Sequence, residues 1–367
     1  MINKLVWENL KYRWVRTFLC ALVVGVQVML ILTLIGLSRG MIQDTTARQK
    51  GTGADIFLKP DTGGTVSLAG GQTLEKFVGF VAKQPHVKQS VGVLSASVET
   101  ITTINGTDIP QFEKISTGFR FIAGGRPINP DDLIVDQYYA QQHKLKIGDT
   151  VKLLNHNWRV CGIIQGGMLG RLVVQLKRLQ KLTGNADPPR ISEILVKLDD
   201  PALTNQEVAR LNELLKGDLR AISTEEMVSQ LSINNIPQLR AFINIVTFLA
   251  VVVGFLVVFL SMYTAVVERT REIGILKALG AKPIKILDIL VREAILLALV
   301  GCLIGILLSF AAKALIMGLV PASLQVINVP DWWPKAAAIA LTGALLGAIY
   351  PGLKAARQDA IEALAYE

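Results

Sequence analysis

Residues 17–38 read TFLCALVVGVQVMLILTLIGLS, a run of 22 without a charge, closed by Arg16 on one side and Arg39 on the other. A helix needs roughly 20 apolar residues to cross a bilayer core, so this run decides the class of the fold by predicting a first span, TM1, at 17–38. It exceeds the apolar core of an ordinary secretory leader, and Ser38-Arg39-Gly40 is a poor small-x-small cleavage site, so the run reads as a retained anchor.

Working outward, three further runs follow the same pattern. Ala241–Val267 lies between Arg240 and Glu268 (TM2), Ala294 begins a run that continues past Lys313 to about residue 316 (TM3), and Ala336–Leu353 lies between Lys335 and Lys354 (TM4). Trp332 and Trp333 stand just before TM4, at the depth where indoles form an interfacial belt. The whole chain of 367 residues is 51% hydrophobic and only 18% charged, too apolar for a soluble protein of this length. A net charge of +9 raises nucleic acid as a partner, but the Lys and Arg residues cluster at the span flanks, which points to a membrane and not to nucleic acid.

Orientation follows from the short flanks. Lys4, Lys11, Arg13 and Arg16 precede TM1; Arg269, Arg271, Lys277, Lys282, Lys285 and Arg292 separate TM2 from TM3; Lys354 and Arg357 follow TM4. By the positive-inside rule residues 1–16, 268–293 and 354–367 are cytoplasmic, whereas 317–335, with Asp331 as its one charge before Lys335, is outside. The long polar stretch 39–240 is then extracytoplasmic. The fold class expected is four transmembrane α-helices plus a large α+β extracytoplasmic domain between helices 1 and 2.

Within 39–240 the texture is mixed. Met41–Lys50 continues TM1 as a helix; Ala54–Lys59 reads as a strand ended by Pro60, and Asp61-Thr62-Gly63-Gly64 as a turn. Leu74–Gln84 has helical spacing, and the β-branched stretch Val91–Ile104 predicts strands meeting a turn at Asn105-Gly106. Further on, Leu133–Val135 reads as a strand, Tyr138–His143 as a short helix, and Val151–Leu154 with Trp158–Ile164 as a hairpin around Asn155-His156-Asn157. Ser192–Leu198 adds a strand, Asn205–Lys216 a helix, and Thr224–Leu239 a polar helix bent near Pro237. Two interleaved lobes are expected, the second at about 112–190.

Catalytic chemistry is not visible. There is no Walker A, HExxH, GxSxG or CxxC pattern, and His86, His143 and His156 lack partners at metal-ligand spacing, so neither a catalytic nor a metal site is predicted. Cys20 and Cys302 fall in apolar runs and Cys161 stands apart, which leaves no disulfide framework. The spans hold no internal Asp or Glu of the kind proton-coupled transporters use, so any work done needs an energy source elsewhere. Gly301 with Gly305, and Gly343 with Gly347, place glycines four apart on one helix face and are candidates for close helix packing.

The exceptional loop is Glu268, Arg269, Thr270, Arg271, Glu272, Ile273, Gly274, Ile275, Leu276, Lys277, Ala278, Leu279, Gly280 and Ala281, followed by Lys282-Pro283. Glu268 with Arg271 and Arg269 with Glu272 are spaced to pair on a helix, Ile273, Leu276 and Leu279 form an apolar ridge, and Gly280 ends the helix before Pro283 opens the next. Such an amphipathic helix suits a partner's groove, although a solvated charged connector has the same composition.

The stretch Glu268–Ala281 resembles the signature of FtsX/MacB-type ABC transporter permeases, in which this loop is the coupling helix that contacts the ATPase. Asn9-Leu10 through Arg16-Thr17, Gly53-Ala54-Asp55-Ile56, and the tail Ala355-Ala356-Arg357 with Ile361-Glu362-Ala363-Leu364 are similar to other family motifs, with Ala360 where the family usually has Pro. The resemblance implies a permease subunit with a MacB-like periplasmic core domain, working by mechanotransmission for export. With Met1 some sixteen residues before TM1, the ATPase, with its ATP and Mg, is expected on a separate polypeptide. A homologous or identical second permease and a periplasmic membrane-fusion adaptor are the other expected partners, in an inner membrane with both termini cytoplasmic. An FtsX-like, non-transporting regulator of cell-envelope enzymes is the alternative that the same resemblance allows.

Overall fold

The computed structural model describes residues 11, 14–61, 71–98, 102–230, 237–320 and 324–357. Most of the expected N-terminal amphipathic helix, the Thr62-Gly63-Gly64 part of the expected turn and the tail from residue 358 lie outside the described residues. The chain divides into two compact units. One takes the chain through Arg39, Pro237–Ile316 and the part from Val326; the other takes the chain from Gly40 up to Pro237, together with Met317–Gln325.

In the helical unit, α1 (Trp14–Gly51) is one unbroken helix of 38 residues that contributes its first part here, so the helix expected at Met41–Lys50 is the direct continuation of the first span. The other three apolar helices long enough to cross a membrane lie in α8 (Pro237–Glu268), α10 (Pro283–Leu319) and α11 (Trp333–Arg357), the last preceded by one turn of 3₁₀ helix at Pro330–Trp332. Pro237 is the first residue of α8, in the first-turn position where its missing N–H has no intrahelical partner to lose, and the bend expected there involves residues 231–236, which lie outside the described residues. Packing follows the glycines. A Cβ at Gly301 would lie 2.7 Å from the Val24 side chain, and one at Gly305 2.6 Å from the Gly25 carbonyl oxygen, so the first and third spans cross with their backbones close together. Gly347 lies equally close to α8, its added Cβ meeting the Phe255 carbonyl at 3.0 Å, whereas at Gly343 the nearest atom would be 4.0 Å away. Near the end of the apolar part of α1, Arg39 reaches Asp331 at 2.9 Å, and the Ile327 N–H donates to the Gly36 carbonyl.

The second unit is built on one ten-stranded sheet. Its strands are β1 (Ile56–Pro60), β3 (Val87–Ser97), β4 (Thr103–Thr107), β5 (Phe121–Gly124), β6 (Asp132–Asp136), β7 (Thr150–Leu153), β8 (His156–Ile164), β9 (Leu172–Gln175), β11 (Glu193–Leu198) and β12 (Leu219–Ser223), in the order β12-β1-β11-β3-β4-β9-β6-β8-β5 with β7 paired to β8. Among the described residues only β4 with β9 and β6 with β8 run parallel. A separate two-stranded ribbon joins β2 (Thr73–Leu74) to β10 (Arg190–Ile191). The stretches assigned to two interleaved lobes thus share a single sheet.

Both faces of the middle of that sheet are covered, which explains why β1, β6, β9 and β11 read as nearly continuous apolar runs, whereas β8 alternates. On one face Ile56, Leu58, Leu133, Val135, Leu172, Val174, Ile194 and Val196 pack with residues from the helices α2 (Lys76–Val81), α4 (Gln137–His143), α5 (Leu176–Leu182) and α6 (Thr204–Leu214). On the other, Phe57, Ile134, Val173 and Leu195 meet Phe112 and Ile115 of α3 (Ile109–Ile115) and Met227 of α7 (Thr224–Gln230). The free edge of β12 is blocked locally: the Asn212 amide accepts the Ala221 N–H at 2.7 Å and donates to the Ala221 carbonyl at 3.0 Å, filling a ladder position that a further strand would use.

Two sequence expectations are corrected here. Asn105-Gly106 is not a turn but the middle of β4, opposite Leu94 and Ser95. Gly106 is there because α5 lies against it, where a Cβ would come within 3.0 Å of Leu179, and the Asn105 side chain is occupied by the Ser95 hydroxyl at 2.7 Å. The hairpin turns at Leu154-Asn155, both left-handed (φ 53° and 57°), so Leu153 pairs directly with His156. A two-residue turn with both central residues at positive φ matches the twist of the strands, which outweighs the cost of a left-handed leucine. The motif Gly53-Ala54-Asp55-Ile56 is a junction: Asp55 accepts the Leu198 N–H (2.8 Å) and Lys197 (3.0 Å), while the Thr224 hydroxyl donates to the Ala54 carbonyl (2.6 Å).

Candidate coupling helix

The loop after the second span is a short helix in a fixed mount. Helix α8 stops at Glu268, Arg269 leaves helical geometry (φ −110°, ψ 17°), and α9 (Thr270–Ala278) starts at once. Thr270 explains the tight join, because its buried hydroxyl lies 3.2 Å from the Val266 carbonyl and 2.9 Å from that of Val267, two of the acceptors left over at a helix end. The far end closes with a Schellman pattern: the Gly280 N–H donates to Lys277 and the Ala281 N–H to Leu276, with Gly280 left-handed at φ 89°. Pro283 then opens α10, as the sequence predicts.

The break at Arg269 separates Glu268, the last residue of α8, from Arg271, while Arg269 is itself the N-cap of α9. Glu268 pairs with Arg16 of α1 at 2.8 Å, and Arg269 approaches Glu293 of α10 at 3.6 Å. Glu293 is 2% exposed, and its Oε2 has no hydrogen bond among the described residues. Lys277 donates to the Ala356 carbonyl of α11 at 2.8 Å.

The expected apolar ridge is divided between the two sides of α9. Ile273 and Gly274 are buried, Ile273 in a cluster with Val266, Ile286, Leu290 and Ala355. Leu276 and Lys277 are half-buried, as is Ala281 beyond the helix. Leu279 points the other way and is 80% exposed. The outward residues Arg271, Glu272, Ile275, Ala278 and Leu279 recur at helical spacing and make one face, in which two large aliphatic side chains sit beside a charged pair. One face is therefore held by contacts to α8, α10 and α11, and the opposite one is open.

Sequence reasoning placed Arg16 and Glu293 as span boundaries and missed that both bear on this loop; only the third dimension brings them 252 and 24 positions along the chain to Glu268 and Arg269. Of the glycine pairs, Gly301, Gly305 and Gly347 make close backbone contacts, and Gly343 does not. Elsewhere the cysteine of the polar region, Cys161, donates its thiol to the Leu133 carbonyl, and burial, followed by the nearby Asp132, pushes it up to about 11, far from a reactive thiolate. Groups of three or more potential metal ligands are absent among the described residues.

Two family models cover most of the chain: the MacB-like periplasmic core domain matches residues 17–214 and the FtsX-like permease C-terminal model matches residues 244–360. Among curated proteins, the macrolide export ATP-binding/permease protein MacB of Hahella chejuensis is 26% identical over 99% of this chain and 60% of its own length. The uncharacterized ABC transporter permease YknZ of Bacillus subtilis is 28% identical over 60% of this chain and 55% of its own. The chain thus spans about half the length of the curated relatives it matches. Among solved structures, the periplasmic region of MacB from Actinobacillus actinomycetemcomitans overlaps 49% of this chain and 94% of its own, with 19% identity and a TM-score of 0.38.

Proposed function

We propose, from the premise that this chain belongs to the family of FtsX-like permeases with a MacB-like periplasmic core domain, that α9 receives a cytoplasmic ABC-type ATPase and relays its cycle to the sheet unit. The chain is a multi-pass membrane permease of the ABC class. Its use in this reading is export or extrusion of a substrate by mechanotransmission, with ATP and Mg bound by a separate ATPase subunit and the permease paired with a second copy or a homologue. The membrane is the inner one, with both termini and α9 on the cytoplasmic side.

The observation that carries the reading is the two-sidedness of α9. Its outward face offers Ile275 and Leu279 between Arg271 and Glu272, a pattern suited to an apolar groove with a polar rim. Its inward face is tied to α8 by Thr270, to α10 by Ile273 and Arg269, to α11 by Lys277, and the adjoining Glu268 is tied to α1. A push on such a helix reaches all four spans. That α1 runs unbroken to Gly51 supports the further step, in which a span and its extension act as one lever.

Replacing Ile275 and Leu279 together by Glu tests the reading, because both are exposed and the mount is untouched. The expected result is a folded permease that no longer co-purifies with the ATPase from solubilised membranes. Undiminished recovery of the ATPase would refute the assignment.

A further inference from the structure

The sheet unit contains a buried ion cluster that neither the sequence motifs nor the coupling loop accounts for. Arg171, immediately before β9, is 5% exposed. One guanidinium nitrogen lies 2.6 Å from Asp136, at the end of β6, and another lies 2.8 Å from Asp44, on the part of α1 that belongs to this unit. Both carboxylates are themselves fixed. Asp136 accepts the Tyr139 N–H at 2.7 Å as the cap of α4, and its own N–H donates to the Arg171 carbonyl at 2.8 Å. Asp44 is joined one turn later by Arg48 at 3.1 Å. The guanidinium also lies over the Tyr138 ring, 5.2 Å from its centre. Two turns beyond Asp44 the backbone of Gly51 touches that of Gly167, leaving no room for a Cβ.

Two bidirectional ties at one buried arginine are more than the fold of the sheet requires. Asp136 and Arg171 belong to neighbouring strand ends already paired through their backbones, so that half of the cluster is internal to the sheet. The Asp44 half is different, since it fastens a helix that makes no strand pairing. A planar guanidinium, with five donors in a rigid fork, suits this double duty because it fixes the direction of both carboxylates, which the rotatable donors of an ammonium do not.

We propose that Arg171 is a positioning residue that locks the last turns of α1 to β6, β9 and α4, so that any displacement of this helix is delivered to the sheet. The transmitting role rests on the coupling reading above; the lock itself does not.

The test uses full-length protein in nanodiscs and the variant Asp44→Asn, which removes the helix-side charge and leaves the Asp136–Arg171 pair in place. Hydrogen exchange is expected to speed up roughly 10- to 100-fold at amides 44–51, with amides 132–136 and 172–175 unchanged, as suits loss of one charge-assisted hydrogen bond in a locally opening segment. Unchanged exchange at 44–51 would overturn the lock. Arg171→Lys is the conservative companion and should fall between wild type and Asp44→Asn at the same amides. In the complex with the ATPase, Asp44→Asn should retain assembly and ATP hydrolysis while losing most of the ATP-dependent change in hydrogen exchange at amides 132–136 and 172–175; an undiminished ATP-dependent change there would overturn the transmitting role. Failure of the coupling reading gives a different result, in which the wild-type complex itself shows no ATP-dependent change at 40–236 while the exchange difference between wild type and variant persists.

Discussion

Arg269 and Glu293 offer the sharpest energetic test of the mount beneath α9. Arg269→Met leaves a carboxylate that is 2% exposed, with an Oε2 that already lacks a hydrogen bond, and stranding a buried charge in this way costs about 3–5 kcal/mol. Glu293→Gln leaves the guanidinium, whose side chain is 11% exposed and nearer to water, so its cost is smaller, about 1–2 kcal/mol. The double variant removes both charges at once and should cost about 2–4 kcal/mol, below the sum of the singles. The cycle should therefore give a coupling energy of about 2 kcal/mol, a factor of roughly 30 in the unfolding equilibrium. The measurement is unfolding of purified full-length protein in mixed micelles with a denaturing detergent, followed by helical circular dichroism. Additivity within about 0.5 kcal/mol would refute the argument, since it would mean that the two groups do not sense each other.

Three other expectations follow from the geometry. Gly301→Ala should destabilise the helical unit by about 1–3 kcal/mol because its Cβ meets Val24 and the Ala21 carbonyl at under 3 Å, whereas Gly343→Ala, with nothing nearer than 4.0 Å, should be close to neutral; the same micelle unfolding distinguishes them. Gly106→Val should loosen β4 and α5 together, read as faster hydrogen exchange at residues 103–107 and 176–182, because any side chain there displaces Leu179. Burial raises the Asp136 carboxyl above the ordinary value of about 4, against the opposing pull of Arg171. A raised folded-state value means that this group's contribution to stability is full below pH of about 4 and is lost as pH rises through the folded value, so wild type should gain stability relative to Asp136→Asn on acidification from neutral pH. A pH-independent difference between the two in thermal unfolding would contradict that sign.

Much of the architecture was legible because apolar run length and flanking charge are one-dimensional signals. The four spans, the helical continuation beyond Ser38, the strand at Leu133–Val135 and the Gly280-Ala281-Lys282-Pro283 break each depend on residues close together in sequence. The misreadings have the opposite character. Asn105-Gly106 carries turn chemistry locally, but the glycine answers to Leu179, more than seventy positions away. The ridge Ile273, Leu276, Leu279 was drawn as one stripe, yet an isolated helix does not specify which side is held; Val266, Ile286, Leu290 and Ala355 take Ile273 and leave Leu279 outside. Helical spacing pairs Glu268 with Arg271 and Arg269 with Glu272 on one helix, but α8 ends at Glu268 and Arg269 caps the next helix, α9. Asp44, Asp136 and Arg171 had no local signal, since single charges in three separate elements look like surface residues until the sheet brings them together.

On the proposed function, the outward face of α9, and not its inward face, meets an ATPase. Photo-crosslinkable residues placed singly at Ile275, Leu279 and Ile273 in otherwise unaltered permease, with crosslinks read by mass spectrometry from native membranes, test it most directly. Crosslinks to an ABC-type ATPase are expected from positions 275 and 279, and crosslinks only within the permease from position 273. ATPase adducts from 273 alone, or none from 275 and 279 in membranes where the complex is intact, would contradict it.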